Sequence, residues 1–292
     1  MKTRNLRALV AHLRIIVKRL TSADMSGDFA SAFRGSGLEF AHIRSYERGD
    51  EIRSIDWKSS AKMNKLMVKE FVQERERTVI IALDLSRSVQ TGSQAELKET
   101  YARNTAACLA LMAQNTNDKV GLILFADTVL TYMPPRKGGS YSAQIVQTIL
   151  TEAVSAAKNT SLAAPLNHLA ALRIRNAIVF IVSDWLVETE QLAGLLSFVG
   201  HKNEAVAVRI IDPRERSLPA IGLIPLQDPE TNEVVMINTS GAAGRAINLF
   251  LGKRLADQKQ LLKKHNLAVL DIDAGASLAH ALATFFHARS HA

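Results

Sequence analysis

The chain has 292 residues, 47% hydrophobic and 22% charged, the proportions of an ordinary globular protein with room for one large domain or two modest ones. That length supports a core without disulfides or structural metal, and a single cysteine excludes a disulfide scaffold and points to a reducing, cytoplasmic compartment. The net charge of +8 is concentrated: residues 1–20 carry six Lys or Arg and no acid, residues 21–77 carry ten of each sign, and the rest carries only +2, which argues against a nucleic-acid groove spread over the fold.

Residues 4–20 place Leu6, Leu9, Val10, Leu13, Ile16, Val17 and Leu20 at helical spacing, which predicts an amphipathic helix. It can dock on the protein's own body, lie on an anionic membrane surface as a peripheral contact, or reach a partner as an arm. No apolar run approaches the ~20 residues of a membrane span. Arg14, Lys18 and Arg19 interrupt the stretch where a signal peptide would be apolar. Residues 21–37 are small and polar and read as a linker, and the charge-dense stretch 38–77 predicts short strands and turns.

From residue 78 the pattern alternates. Residues 78–83 form a continuous apolar run, as in a buried strand. A helix is expected over 94–114, with Cys108 on its buried side, then strands over 120–125 and 129–132. Helices over 140–157 and 162–173 precede a buried strand over 177–182, a helix near 188–199 and a strand over 205–211. A β-hairpin over 221–237, a helix over 242–265, a strand over 268–272 and a helix from 277 complete the pattern. Strands alternating with helices predict an α/β fold with a doubly wound, mostly parallel, Rossmann-like sheet over 78–292 and a hairpin insertion, preceded by an N-terminal region over 1–77.

Ligands of such a sheet bind beyond the carboxyl ends of its strands, near the point where the strand order reverses. The first strong strand is followed by Asp84, Ser86 and Ser88, and the strand over 177–182 by Asp184 and Trp185. The loop before residue 162 carries Thr160, with Ser161 beside it. These are oxygen ligands without thiolate or imidazole, a set that suits Mg²⁺ or Mn²⁺ rather than zinc. Neutral hydroxyls offset little of the ion's charge, so an open coordination position can accept a carboxylate from a partner. The same residues also fit turn and helix-cap chemistry.

Asp-x-Ser-x-Ser, then a distant Thr and a distant Asp, resembles the metal-ion-dependent adhesion site of von Willebrand factor type A domains, here Asp84, Ser86, Ser88, Thr160 and Asp184. The resemblance implies that Ser86 and Ser88 ligate the ion directly, Thr160 directly or through water, and that Asp84 and Asp184 hold coordinated waters. Arg87 and Trp185 flank the set as candidate partner contacts, and Trp185 also suits packing under the loop.

Upstream, Gly35, Gly37, Glu39, Phe40, Arg44, Tyr46, Gly49, Asp50, Arg53, Ile55, Asp56, Trp57, Ser60, Ala61, Lys69, Glu70 and Phe71 resemble the signature of the bacterial family catalogued as domain of unknown function fifty-eight. Lys62 and Met63 stand where that family carries Arg-Thr. The resemblance implies a protein-binding module, not an enzyme, that works with a MoxR-type AAA+ ATPase in chaperone-like remodelling or maturation of client proteins. Arg44, Asp50, Arg53 and Asp56 suit an ion-pair network or a docking surface. Trp57 suits a packing anchor, with a ligand platform as the alternative.

Several chemistries lack their residues. Neither a Walker A loop nor a Gly-x-Gly-x-x-Gly after the first strand is present. A serine nucleophile at 86 or 88 has no nearby histidine base, since His168 falls within a predicted helix. The alternative function is a metal-dependent hydrolase, a phosphoesterase using the same strand-end acids.

Overall fold

The computed structural model describes residues 3–20, 39–48, 50–51, 54–72, 77–94, 96–154, 160–187, 189–227 and 234–290. Contacts divide the chain into two units, residues 34–77 and the remainder. Helix α1 (Thr3–Leu20) belongs to the larger unit. The contacts divide the chain at 77, as expected, but they group the basic helix with 78–292 and not with the signature segment. The reason is its apolar face, where Leu13, Val17 and Leu20 are buried in the larger unit's core. Arg7, Arg14, Lys18 and Arg19 lie on its exposed side.

The smaller unit consists of strand β1 (Glu39–Ser45), helix α2 (Trp57–Met63) and strand β2 (Met67–Val72), with β1 and β2 antiparallel. Helix α2 was not expected, because its seven residues show no apolar period. Local chemistry forms it. Asp56 caps its start, accepting from Lys58 N at 3.2 Å and Ser59 Oγ at 2.8 Å. Asn64 ends it in the left-handed region at φ 52°. Ser60 Oγ donates to Asp56 O and accepts from Met67 N, each at 2.8 Å, which ties α2 to β2.

The larger unit follows the predicted alternation. Strand β3 (Thr78–Asp84) leads to helix α3 (Lys98–Asn115), then β4 (Lys119–Phe125) and β5 (Val129–Arg136). Helices α4 (Gly139–Thr151) and α5 (Ala163–Ala171) precede β6 (Ala177–Ser183), α6 (Ala193–Lys202) and β7 (Glu204–Ile211). The short helix α7 (Pro213–Arg216) opens the insertion, the hairpin β8 (Leu223–Gln227) and β9 (Val234–Asn238). Helix α8 (Gly241–Lys264), β10 (Leu267–Asp273) and α9 (Leu278–Ser290) complete the unit.

The six strands of the main sheet run in the order β10-β7-β6-β3-β4-β5. All neighbours are parallel except β4 and β5. This is the doubly wound order with one antiparallel edge strand, a von Willebrand type A-like, Rossmann-like architecture. The chain first winds outward through β4 and β5, then returns to the other side of β3 as β6. The switch point thus lies between the carboxyl ends of β3 and β6.

Alternate residues of the central strand feed two cores. Val79, Ile81 and Leu83 pack with Ala106, Leu109 and Ala110 of α3, and with α1, α4 and α9. Ile80 and Ala82 face Leu166 of α5, Leu196 of α6 and Leu262 of α8. Burial on both faces explains why these strands read as unbroken apolar runs. Cys108 lies inside the first core, and burial pushes its thiol up to about 12. At the outer edge, β5 carries Pro134 and Pro135 where its register with β4 shifts. Gly121 on β4 makes room for them, since a Cβ there would lie 3.1 Å from Pro135. Among the described residues no helix is long and apolar enough to cross a membrane.

Candidate metal centre at the switch point

The ends of β3 and β6 bring the predicted set together. Asp84, the last residue of β3, is fully buried. Its Oδ1 accepts Ser86 N at 2.8 Å, and its Oδ2 accepts Ser183 Oγ, from the end of β6, at 2.7 Å. Beyond it the chain forms a single 3-10 turn over Arg87–Gln90, which holds the Ser88 hydroxyl over the strand end. Thr160 arrives from the loop before α5, and that loop is anchored by Ser161 N donating to Ala126 O at 2.8 Å. Thr160 rather than Ser161 supplies the hydroxyl. Ser86 Oγ and Ser88 Oγ are 3.0 Å apart, Ser88 Oγ and Thr160 Oγ1 3.2 Å, and Thr160 Oγ1 donates to Ser86 Oγ at 2.6 Å.

These three separations bear on what the site can hold. Mg²⁺ takes octahedral oxygen ligands at about 2.0–2.1 Å, so adjacent ligands stand about 2.9 Å apart. The hydroxyl triangle, at 2.6, 3.0 and 3.2 Å, has the dimensions of one octahedral face. The residues present fit a hard divalent cation, with three hydroxyls as ligands and the two acids as acceptors for its waters. Among the described residues no group of three or more His, Cys, Asp or Glu is placed to hold a metal ion by itself.

The electrostatics of the two acids differ. Burial, then the nearby Asp184 carboxylate, push Asp84 up to about 6, against the opposing hydrogen bonds from Ser183 and Ser86. Asp184 has a cation of its own: Lys98 Nζ donates to its Oδ2 at 2.9 Å, and Leu186 N donates to its Oδ1 at 3.2 Å. Lys98 Nζ also donates to Glu215 Oε1 at 2.8 Å. Burial opposes the ammonium, yet the charges of Asp184 and Glu215 more than offset it and raise the Lys98 pKa. Glu215 is raised because burial outweighs the help from Lys98.

Lys98 and Glu215 went unrecognised in the sequence, whereas Ser183 stands among the hydroxyls that follow the strand predicted over 177–182. One signal was available for Lys98. It is the first residue of α3, where the positive end of the helix dipole disfavours a cation, so its position calls for a carboxylate partner.

Of the flanking candidates, Arg87 is exposed beside the site. Trp185 needs correcting as a partner contact: it is wholly buried, and its Nε1 donates to Val208 O at 3.1 Å. A left-handed backbone at φ 58° turns its indole under the loop, and Gln258 Nε2 donates to its carbonyl at 2.6 Å. His168 sits on α5 with its ring edge-on to Tyr132, the ring centroids 4.8 Å apart.

Within the signature segment, Arg44 grips Asp50 with two bonds at 2.8 and 2.7 Å, and Glu47 N donates to the same carboxylate at 2.8 Å. The Arg44 bond, then the Glu47 amide, hold Asp50 below the usual carboxylate range. Tyr46 is fixed through its backbone, its N donating to Leu66 O at 2.8 Å. Asp56 is the helix cap described above. Trp57, the first residue of α2, is 65% exposed, which goes against the packing-anchor expectation. Gly49 and Arg53, like Gly35 and Gly37, lie outside the described residues.

Comparison with known proteins adds a family and a fold. The family model described as "Protein of unknown function DUF58" matches residues 42–250. The uncharacterized protein Rv1480 of Mycobacterium tuberculosis (strain ATCC 25618 / H37Rv) is 26% identical over 230 residues, 78% of this chain and 72% of its own length. The uncharacterized protein YeaD of Bacillus subtilis (strain 168) is 39% identical over 44 residues, 15% of this chain and 11% of its own. Among solved structures, an aerotolerance-related membrane protein from Bacteroides fragilis NCTC 9343, with multiple mutations to serines, aligns at 15% identity with a TM-score of 0.50. That alignment covers 74% of this chain and 98% of the other, a likeness of fold alone.

Proposed function

The chain belongs to the DUF58 family, and from that premise we propose that it is a protein-binding module that takes a divalent cation, Mg²⁺ or Mn²⁺, at the switch point and offers it to a partner's carboxylate. The observation that carries this reading is the hydroxyl triangle of Ser86, Ser88 and Thr160, spaced as an octahedral face beside Asp84 and Asp184.

In this reading the three hydroxyls ligate the ion, and the two carboxylates accept hydrogen bonds from its waters. When bound, the ion supplies an electrophilic position that neutral hydroxyls leave largely uncompensated. Asp84 is held in place by Ser86 N and Ser183 Oγ, so its orientation does not depend on the ion. Arg87, exposed beside the turn, is positioned to meet an acidic partner surface.

The family resemblance supports a MoxR-type AAA+ ATPase as that partner, with the chain as an adaptor in remodelling or maturation of a client protein. The proposal assigns no catalytic residue. A phosphoesterase using the same oxygens is the second reading, since a divalent cation held beside strand-end carboxylates also suits phosphoester hydrolysis.

The test is a pull-down with tagged wild type and Asp84→Ala, each with Mg²⁺ and with EDTA. An AAA+ ATPase retained only by wild type with Mg²⁺ is the expected result. Equal recovery in all four conditions would overturn the metal bridge. Phosphoester turnover by the purified protein, lost in Asp84→Ala, would favour the second reading.

A further inference from the structure

We propose that Lys98 sets how strongly the strand-end site draws a divalent cation: its fixed positive charge holds Asp184 in a buried pair, so that firm metal retention requires a carboxylate from the partner. The inference rests on the metal reading above and concerns the strength of the site rather than its existence.

The Lys98 side chain is fully buried, with Nζ 2.9 Å from Asp184 Oδ2 and 2.8 Å from Glu215 Oε1. Helix stability does not account for a lysine here. The first residue of a helix faces the positive end of the dipole, and a buried ammonium forfeits its hydration. Two carboxylates hold it instead, one of which belongs to the candidate metal set. Its position is also braced from two segments, the start of α7 and the loop that carries Ser93. Glu215 Oε2 accepts Asp212 N at 3.1 Å, and Asp212 accepts Ser93 N and Ser93 Oγ at 2.6 and 2.5 Å. The ammonium is therefore not a side chain that swings aside for an incoming ion.

The charge balance follows. The hydroxyls of Ser86, Ser88 and Thr160 contribute dipoles but no net charge. Asp184 already has a cation, and the charges bonded to it are shared with Glu215. Asp84 alone has only hydrogen-bond donors. A divalent ion arriving at the triangle meets a positive charge held close behind one of its two acids. At the effective dielectric of a protein interior, one charge at such range alters cation affinity by about tenfold or more. A carboxylate from a partner restores the missing negative charge. Lys98 is in this sense a positioning residue, acting on the ion through Asp184.

The experiment is a Mn²⁺ titration of the full chain, following free Mn²⁺ by electron paramagnetic resonance. Four proteins are compared: wild type, Lys98→Met, Lys98→Arg and Glu215→Gln. Lys98→Met is expected to bind Mn²⁺ about tenfold more tightly, and Lys98→Arg, which keeps the charge, within about twofold of wild type. Glu215→Gln leaves the ammonium to Asp184 alone and is expected to bind several-fold more weakly. Opposite movement in the two neutralising variants separates an electrostatic role from a structural one, because a mere brace would weaken binding in both. Weaker or unchanged affinity in Lys98→Met overturns the inference and leaves the metal reading standing. Absence of Mn²⁺ binding in wild type and all variants overturns both. If Lys98→Met fails to fold, Glu215→Gln decides alone: weaker binding supports the role, and equal or tighter binding overturns it.

Discussion

Two carboxylates at the sheet illustrate how neighbours decide what burial does to an acid. Asp271 on β10 and Asp84 on β3 both lose hydration. Burial raises Asp271 too, but the bond and charge of Arg209 and the charge of Lys259 outweigh it, and its pKa ends lowered. Arg209, buried in β7, donates from Nε to Asp271 Oδ1 at 2.7 Å, and its Nη1 donates to Leu255 O and Gln258 Oε1, each at 2.9 Å. Asp84 has hydrogen bonds but no cation, and it is pushed up to about 6. The Asp271 cluster is complete as it stands and joins β7, α8 and β10. The Asp84 carboxylate, by contrast, is held by hydrogen-bond donors alone.

The comparison can be broken in order of expected effect. Arg209→Met strands Asp271 with only the partly exposed Lys259, and should lower the unfolding free energy by about 3 kcal/mol in urea denaturation, with Mn²⁺ binding unchanged. Asp84→Asn should do the reverse: Mn²⁺ affinity falls at least about tenfold, while stability in EDTA at pH 7 does not drop, since a buried charge has been removed. A stability loss in Asp84→Asn as large as that in Arg209→Met would erase the distinction between the clusters.

The two acids also predict opposite pH dependences in chelator. Asp84 has a folded pKa raised from 3.8 to about 6, so between those values the folded state holds a proton that the unfolded state has lost. Its stabilising contribution is complete below about pH 4 and disappears as pH rises through about 6. Asp271, with a lowered folded pKa, contributes stability above its unfolded value and loses it as pH falls through the folded one. From pH 4 to 7 the unfolding free energy of Asp84→Asn should therefore rise relative to wild type, whereas the deficit of Asp271→Asn should change little there and shrink only as pH falls below about 4.

Smaller effects test the two tryptophans. Trp185→Phe removes the indole bond to Val208 O and should lower stability by about 1 kcal/mol, without changing metal-dependent partner capture, because the ring is buried. Trp57→Ala should change the thermal midpoint by no more than about 0.5 kcal/mol implies, as befits an exposed side chain.

Much of the architecture was legible because parallel strands buried on both faces carry their own signature. The runs TVIIAL and AIVFIV could hardly be anything but central strands. Asp84, Ser86, Ser88, Thr160 and Asp184 were legible for a related reason: strand ends are where such a sheet collects ligands, and these residues lie in that order along the chain. Lys98 and Glu215 were not, because a Lys and a Glu separated by more than a hundred residues show no pairing in sequence. Trp185 follows its packing alternative, whereas Trp57 departs from its packing-anchor expectation. Whether an indole lies under a loop or outside a helix depends on one backbone angle, as with Trp185 at φ 58°, and residue type does not carry that information.

The paired prolines of β5 bear on self-association. A sheet that ends in a strand with free amides invites another chain to add itself. Pro134 and Pro135 supply no amide hydrogens, and because successive residues turn their backbone groups to opposite sides, an added strand would find one rung of its ladder missing along that margin. Gly121 makes room for them in the neighbouring strand, and Gly121→Ala would press against Pro135. The antiparallel margin of this protein is thereby built to resist edge-to-edge polymerisation during synthesis and at high concentration.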